Sequence, residues 1–419
     1  MLTGFASWKW LRSCCPFHAM CYSGPEPRSW SQTGPDGSPW PFFNVHGENG
    51  TNACPNNCCG ANDTAHYCLW DLSQGALLED QINNAEAASR LQAAAKNFRE
   101  TGQPFFLGQG YHRPHLPWII PKPFYDAMET PTEATHQAWP ADRPAIHFHD
   151  CAEMSHPYWD TNGWGVPLDQ GDYFASHQGE MRRAYYAAVS YIDSLMGDLL
   201  QVLDTEGIAD DTIVLVMGDH AFMMRAPFMP NATGKITNAL AEVVDIYPTL
   251  VELAGLQLPT GAAGEYLGGT SLKPVLEDPT TSVKKVALSQ FPRCWQNNTQ
   301  HPSGNKPGDE NNQTVSWESM SDCHWTYREG FDFMGYRMRT EEWALTQWVR
   351  WNGTSLRPNW NQTVGLELYD HRNNTGMAPS AFDDFENENL AYEPALQPVL
   401  MQLLEQLHQE FAKWWTPNP

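Results

Sequence analysis

The sequence predicts an α/β protein, with a large α/β domain built on a mostly parallel sheet and a smaller C-terminal antiparallel subdomain. Three observations carry this reading. Apolar residues recur near a 3.6-residue period at 80–99 and again at 179–205, as on amphipathic helices. A continuous apolar run at 212–217 has the texture of a strand buried on both faces, and 104–110 reads as a short buried strand running into a turn. Beyond Pro259 the texture shifts to short strands broken by Asn, Gly and Pro, which suits hairpins.

Taken in order, residues 1–70 are rich in Cys, Pro, Gly and Trp and read as an irregular segment. The α/β domain spans 71–260. Its first helix carries Ile82, Ala85, Ala88, Leu91, Ala95 and Phe98, and Gly102 followed by Pro104 should stop it. Pro104 to Gly110 then reads as a short buried strand running into a turn. Residues 123–175 show no periodicity and are long for a loop, so they are expected to pack over a face or cleft. The second helix presents Met181, Tyr185, Ala188, Ile192, Leu195, Leu199 and Leu203, with Gly207 as its stop. Thr212 to Met217 should follow as a parallel strand. Pro248 to Gly255 repeats the helix-and-glycine logic. Residues 261–419 form the subdomain, with strands near 285–289, 334–339, 342–350 and 366–369 and a last helix at 396–415.

Composition narrows the function. Acidic residues outnumber basic ones 49 to 25, for a net charge of −24. A nucleic-acid binder needs basic surface to meet phosphate, so that class is excluded. No apolar run approaches the length of a membrane span. The chain has 10 Cys, and the spacing of Cys54, Cys58, Cys59 and Cys68 is unlike paired zinc knuckles. Disulfides in an oxidising compartment are the better account, with Cys294 and Cys323 bracketing a loop as a second clasp. Eight N-x-S/T sequons, at Asn49, Asn62, Asn231, Asn297, Asn312, Asn352, Asn361 and Asn373, point to a secretory route. The first 15 residues contain no signal peptide, so the true beginning is expected to be missing.

Two clusters carry chemistry. Asp219 and His220 follow the 212–217 run, at the strand edge where open α/β sheets bind ligands, and form half of a metal site. A carboxylate there also serves as an ordinary helix cap. Tyr111-His-Arg-Pro-His115 follows the other apolar run, and a surface turn is the plainer reading of it. As a site, His112 would supply a proton donor and Arg113 a fork for oxyanions. No nucleotide loop, G-x-S-x-G elbow or H-E-x-x-H motif occurs.

These residues resemble the sulfatases of the alkaline phosphatase superfamily, above all the iduronate-2-sulfatase subfamily. The segments that carry the likeness are 104–126 (PFFLGQGYHRPHLPWIIPKPFYD), 183–203 (RAYYAAVSYIDSLMGDLLQVL), 212–220 (TIVLVMGDH) and 243–259 (VVDIYPTLVELAGLQLP). Residues 289–295, 334–340, 366–371 and 388–391 continue it in order. The resemblance implies a large α/β sandwich whose N-terminal part is missing from this chain, and hydrolysis of sulfate esters on glycosaminoglycans or sulfated polysaccharides. It implies Ca²⁺, with Asp219 and His220 as ligands, and His112 and His18 as contacts to the sulfated substrate. It implies a lysosomal or secreted protein, and a formylglycine-generating enzyme as partner if a full-length form exists. No C-x-P-x-R motif occurs, and the family's paired metal-binding Asp strand is not found. The Ca²⁺ site is therefore expected to be weakened or absent and this chain inactive, the alternative being a non-catalytic binder of sulfated glycans.

Overall fold

The computed structural model describes residues 68–71, 77–115, 118–129, 142–147, 178–218, 221–225, 234–258, 268–295, 320–321, 323, 326–374 and 385–413. They fall into two compact units. The first holds the described residues up to Thr212 except 142–147; the second holds 142–147 and everything described from Ile213 onward.

In the first unit, β1 (Cys68–Trp70) pairs in parallel with β2 (Ile119–Pro121). α1 (Glu79–Thr101), α2 (Lys122–Ala127) and α3 (Gln178–Glu206) complete it. α1 ends as its sequence predicts: Gly102 takes a left-handed φ of 70° and its N–H donates to the Phe98 carbonyl. Gly207 ends α3 in the same way at φ 68°. Ile119 and Ile120 point to opposite faces of β2 and both are fully buried. Ile119 joins Trp70, Leu78, Tyr191 and Leu195, while Ile120 joins Trp118, Tyr125, Ala184 and Ala188. A strand buried on both faces therefore exists, but it is only three residues long, too short to show a period.

Two expected strands are corrected. Residues 102–110 form no strand; Phe106 is 72% exposed, and no strand pairs with this stretch among the described residues. An apolar run becomes a buried strand only where neighbours bond its edges and cover its faces. The 212–217 run does give a strand, β3 (Val214–Gly218), but β3 pairs antiparallel with β4 (Ala221–Arg225). Its side chains are half-buried to exposed, Met217 among the latter, so it is not covered on both faces, and its pairing among the described residues is antiparallel. On α3 the buried stripe runs through Ala184, Ala187, Ala188, Tyr191 and Leu195, leaving Tyr185 exposed. The alanines of that stripe pack against Trp118, Ile120 and Tyr125, large side chains that small ones allow to approach closely.

The second unit also contains α4 (Ile246–Leu253), α5 (Lys273–Glu277) and the antiparallel sheet expected after Pro259. Its strands are β5 (Ala287–Trp295), β6 (Met320–Ser321), β7 (Phe333–Arg339), β8 (Trp343–Asn352) and β9 (Arg357–Asp370), in the order β6-β5-β7-β8-β9. Period-two alternation puts Met334, Tyr336 and Met338 on one face, where α6 (Gln397–Ala412) covers them with Leu400, Leu403, Leu407 and Phe411. The Cys294–Cys323 disulfide is formed, as the sequence predicts.

On the opposite face Phe333 and Trp348 meet Ile146 from the 142–147 strap. Glu367 of β9 is 1% exposed and fastens that strap. It accepts from His147 Nδ1 at 2.8 Å, Trp348 Nε1 at 2.7 Å and Tyr369 Oη at 2.7 Å. Burial alone would push its carboxyl up, but the His147 bond and charge, with the Tyr369 and Trp348 bonds, hold it below the usual range. Gly335 lies opposite Trp348, whose indole occupies the space a side chain would need: an added Cβ would sit 2.7 Å from Cζ3.

Two measurements check this packing. Gly335→Ala should lower stability by about 1–3 kcal/mol, read as a shifted urea midpoint, because the hydrogen-bonded indole cannot move aside. A carboxyl held low in the fold stabilises above its unfolded pKa and loses that contribution as pH falls. The wild-type urea midpoint should therefore drop below about pH 4.5, and Glu367→Gln, weaker at neutral pH, should show a flatter acid limb.

Candidate functional site

Of the sequence-predicted site residues, His112 is described; His18, Asp219 and His220 lie outside the described residues. β3 ends at Gly218 and β4 begins at Ala221, with those two residues opposite each other.

His112 sits in a five-residue loop fixed at every position. Tyr111 Oη donates to Asn84 Oδ1 on α1 at 2.7 Å. Burial first, and then the negative charge of Asp80, pushes the Tyr111 phenol up to about 12, so it remains a neutral donor. The His112 backbone N–H donates to Asp80 Oδ1 at 2.7 Å. The Arg113 guanidinium lies 3.5 Å from Asp80 Oδ2 and 4.0 Å from Glu79 Oε2. The Pro114 carbonyl accepts from Trp118 Nε1 at 2.8 Å, and His115 N–H donates to the His112 carbonyl at 3.0 Å. The two imidazoles, both half-buried, meet edge to face with centroids 5.2 Å apart.

The mount for this loop is the start of α1. Gln81 Oε1 accepts the N–H of Leu78, fixing the first turn. Asp80, the second helical residue, is fully buried where the helix dipole favours an anion. Tyr191 of α3 closes the other side, its phenol driven up by burial first and by Asp80 second. Arg113 is corrected here. Its side chain is 4% exposed and its charge is committed to Asp80 and Glu79, so it is no open fork for an oxyanion. Asp80, Asn84 and Tyr191 escaped the sequence reading. An acidic pair at a helix start looks like ordinary dipole compensation, and the Asp80–His112 contact spans 32 residues.

The family model for sulfatases matches residues 47–256, half of the chain. The chain belongs to the sulfatase family. It is 24% identical to human iduronate 2-sulfatase over 404 residues, which cover 80% of this chain and 68% of that protein. The mouse iduronate 2-sulfatase is 25% identical over 361 residues, covering 71% and 60%. Among solved structures, a phosphonate monoester hydrolase from Silicibacter pomeroyi superposes with a TM-score of 0.50 at 18% identity, covering 84% of this chain and 66% of that one. This last likeness shows the α/β fold. The chain thus spans about two thirds of the length of these relatives.

For a metal, the donor set can be weighed by its chemistry. Ca²⁺ takes about six to eight oxygen ligands. Asp219 and His220 bring one carboxylate and one imidazole, and no three His, Cys, Asp or Glu side chains gather into a metal site among the described residues.

Arg113→Ala should destabilise by about 3–5 kcal/mol, because it leaves Asp80 buried without its cation. Thermal melting of the variant, with Arg99→Ala as an exposed control, measures this. A loss no larger than the control's would contradict the pairing.

Proposed function

We propose that this chain is a sulfatase-family protein that recognises sulfated carbohydrate, a glycosaminoglycan or a sulfated polysaccharide, with His112 contacting the sulfate or the leaving oxygen. The fixed His112 loop supports this most directly: a half-buried imidazole on a pinned backbone can meet an anionic ester without first being ordered. The likeness to iduronate 2-sulfatases favours a sulfated uronate among such substrates. Asp219 and His220 are assigned to the metal side of the site, and His18 to a second sulfate contact.

The reaction of the family is hydrolysis of a sulfate ester. Across the 419 residues of the sequence no C-x-P-x-R supplies the nucleophile precursor, and no step through a metal follows from two donors. A chain of this sequence is accordingly proposed to bind without turnover, which is where the reading as a non-catalytic glycan binder gains its support. A secretory route, lysosomal or extracellular, is supported by the Cys294–Cys323 disulfide. The described sequon residues Asn352, Asn361 and Asn373 are all exposed, as glycosylation would require. No described helix is long and apolar enough to cross a membrane.

Retention on immobilised dermatan sulfate, with sulfate release followed in parallel, tests the proposal. A protein of net charge −24 has no general attraction to a polyanion, so retention would report a local site. The expected result is retention reduced about tenfold in affinity by His112→Ala, with no sulfate released. Robust release abolished by Asp219→Ala would overturn the inactive reading, and retention indifferent to His112→Ala would remove His112 from the site.

A further inference from the structure

We propose that Asp80 is a positioning residue for His112, acting through the main chain rather than through the imidazole; this rests on the reading of His112 as a sulfate contact. Asp80 lies 32 residues from His112 in sequence, on another element, yet its Oδ1 accepts the His112 N–H at 2.7 Å. The other oxygen of the same carboxylate faces the Arg113 guanidinium. A single fully buried group therefore grips two consecutive residues of the loop, one through its backbone and one through its side chain.

This arrangement differs from a general packing role. Asn84, Trp118 and Tyr191 also border the loop, but Asn84 binds the Tyr111 hydroxyl and Trp118 the Pro114 carbonyl, one residue to either side of the His112–Arg113 pair. The Asp80 bond acts on the peptide that carries the His112 side chain. A peptide held at its N–H restrains φ and ψ on both sides, and so the direction of the Cα–Cβ bond. The carboxylate itself is carried on the first turn of α1, where the helix dipole favours a negative charge. The histidine is then aimed by the α1 scaffold rather than by its own loop.

The two tasks of Asp80 separate by substitution. Asp80→Asn keeps an oxygen acceptor for the His112 N–H and loses the charge facing Arg113. Asp80→Ala loses both. Both variants should fall in melting temperature for the same reason, the stranded Arg113 charge. Only Asp80→Ala should lose ligand.

Calorimetry with 4-nitrophenyl sulfate reads affinity, and the ¹³C-labelled His112 ring signal reads imidazole environment. Asp80→Ala should weaken binding about tenfold and shift the His112 signal, while Asp80→Asn should stay within about threefold of wild type. If either variant fails to fold, the same pair is compared in an Arg113→Met background, where no charge is stranded.

Equal losses in Asp80→Ala and Asp80→Asn, or unchanged affinity in Asp80→Ala while His112→Ala binds poorly, overturn the positioning role and leave the site reading intact. Unchanged affinity in His112→Ala overturns the site reading and this inference with it.

Discussion

Buried carboxylates organise both units of this chain. An anion taken out of water must find cations or hydrogen-bond donors, and the partners it needs come from whichever segments can reach it. Asp80, Asp245 and Glu367 are each at most 1% exposed. Asp80 joins α1 to the His112 loop. Asp245 accepts from the backbone of Glu242 and Thr270 and from Lys284 Nζ, tying the start of α4 to the approach to the antiparallel sheet. Glu367 joins β9 to the 142–147 strap. A buried anion adds a directional requirement to the apolar packing, because a shift would cost it its donors. The carboxylates thus add fixed points to a register that the hydrophobic pattern already favours.

The same constraint explains why the candidate site has the character it does. Arg113, the residue most suited to grip a sulfate by chemistry alone, is consumed by the fold, while His112 stays half-buried on a loop that its own backbone helps to hold. A histidine loop without a buried anchor would be an ordinary surface turn. With Asp80 beneath it, the loop becomes a rigid presentation of one imidazole, the kind of element on which recognition of an anionic ester can be built.

The helices were legible from the sequence because their information is local. Gly102 and Gly207 stop α1 and α3 where a left-handed residue is required, and the α6 stripe of Leu400, Leu403, Leu407 and Phe411 follows from periodicity. The antiparallel subdomain was legible for the same reason, since alternation along β7 survives in the packed sheet. The expected strands at 104–110 and 212–217 differ from the fold because burial belongs to the neighbours of a strand and not to the strand. Phe106 and Met217 look like core in sequence and are exposed.

At the site, the amino-acid order alone states which chemical groups are present: His112 beside Arg113, Asp219 beside His220, no C-x-P-x-R, and motifs enough to suggest the family. What Arg113 and Asp80 do was settled by how the chain packs. An arginine is the same residue whether it faces a ligand or a helix terminus, and its partner is chosen by which charge must be neutralised out of water. That partner lies on a different element, placed there by the packing of α1 and α3, and no local pattern encodes it.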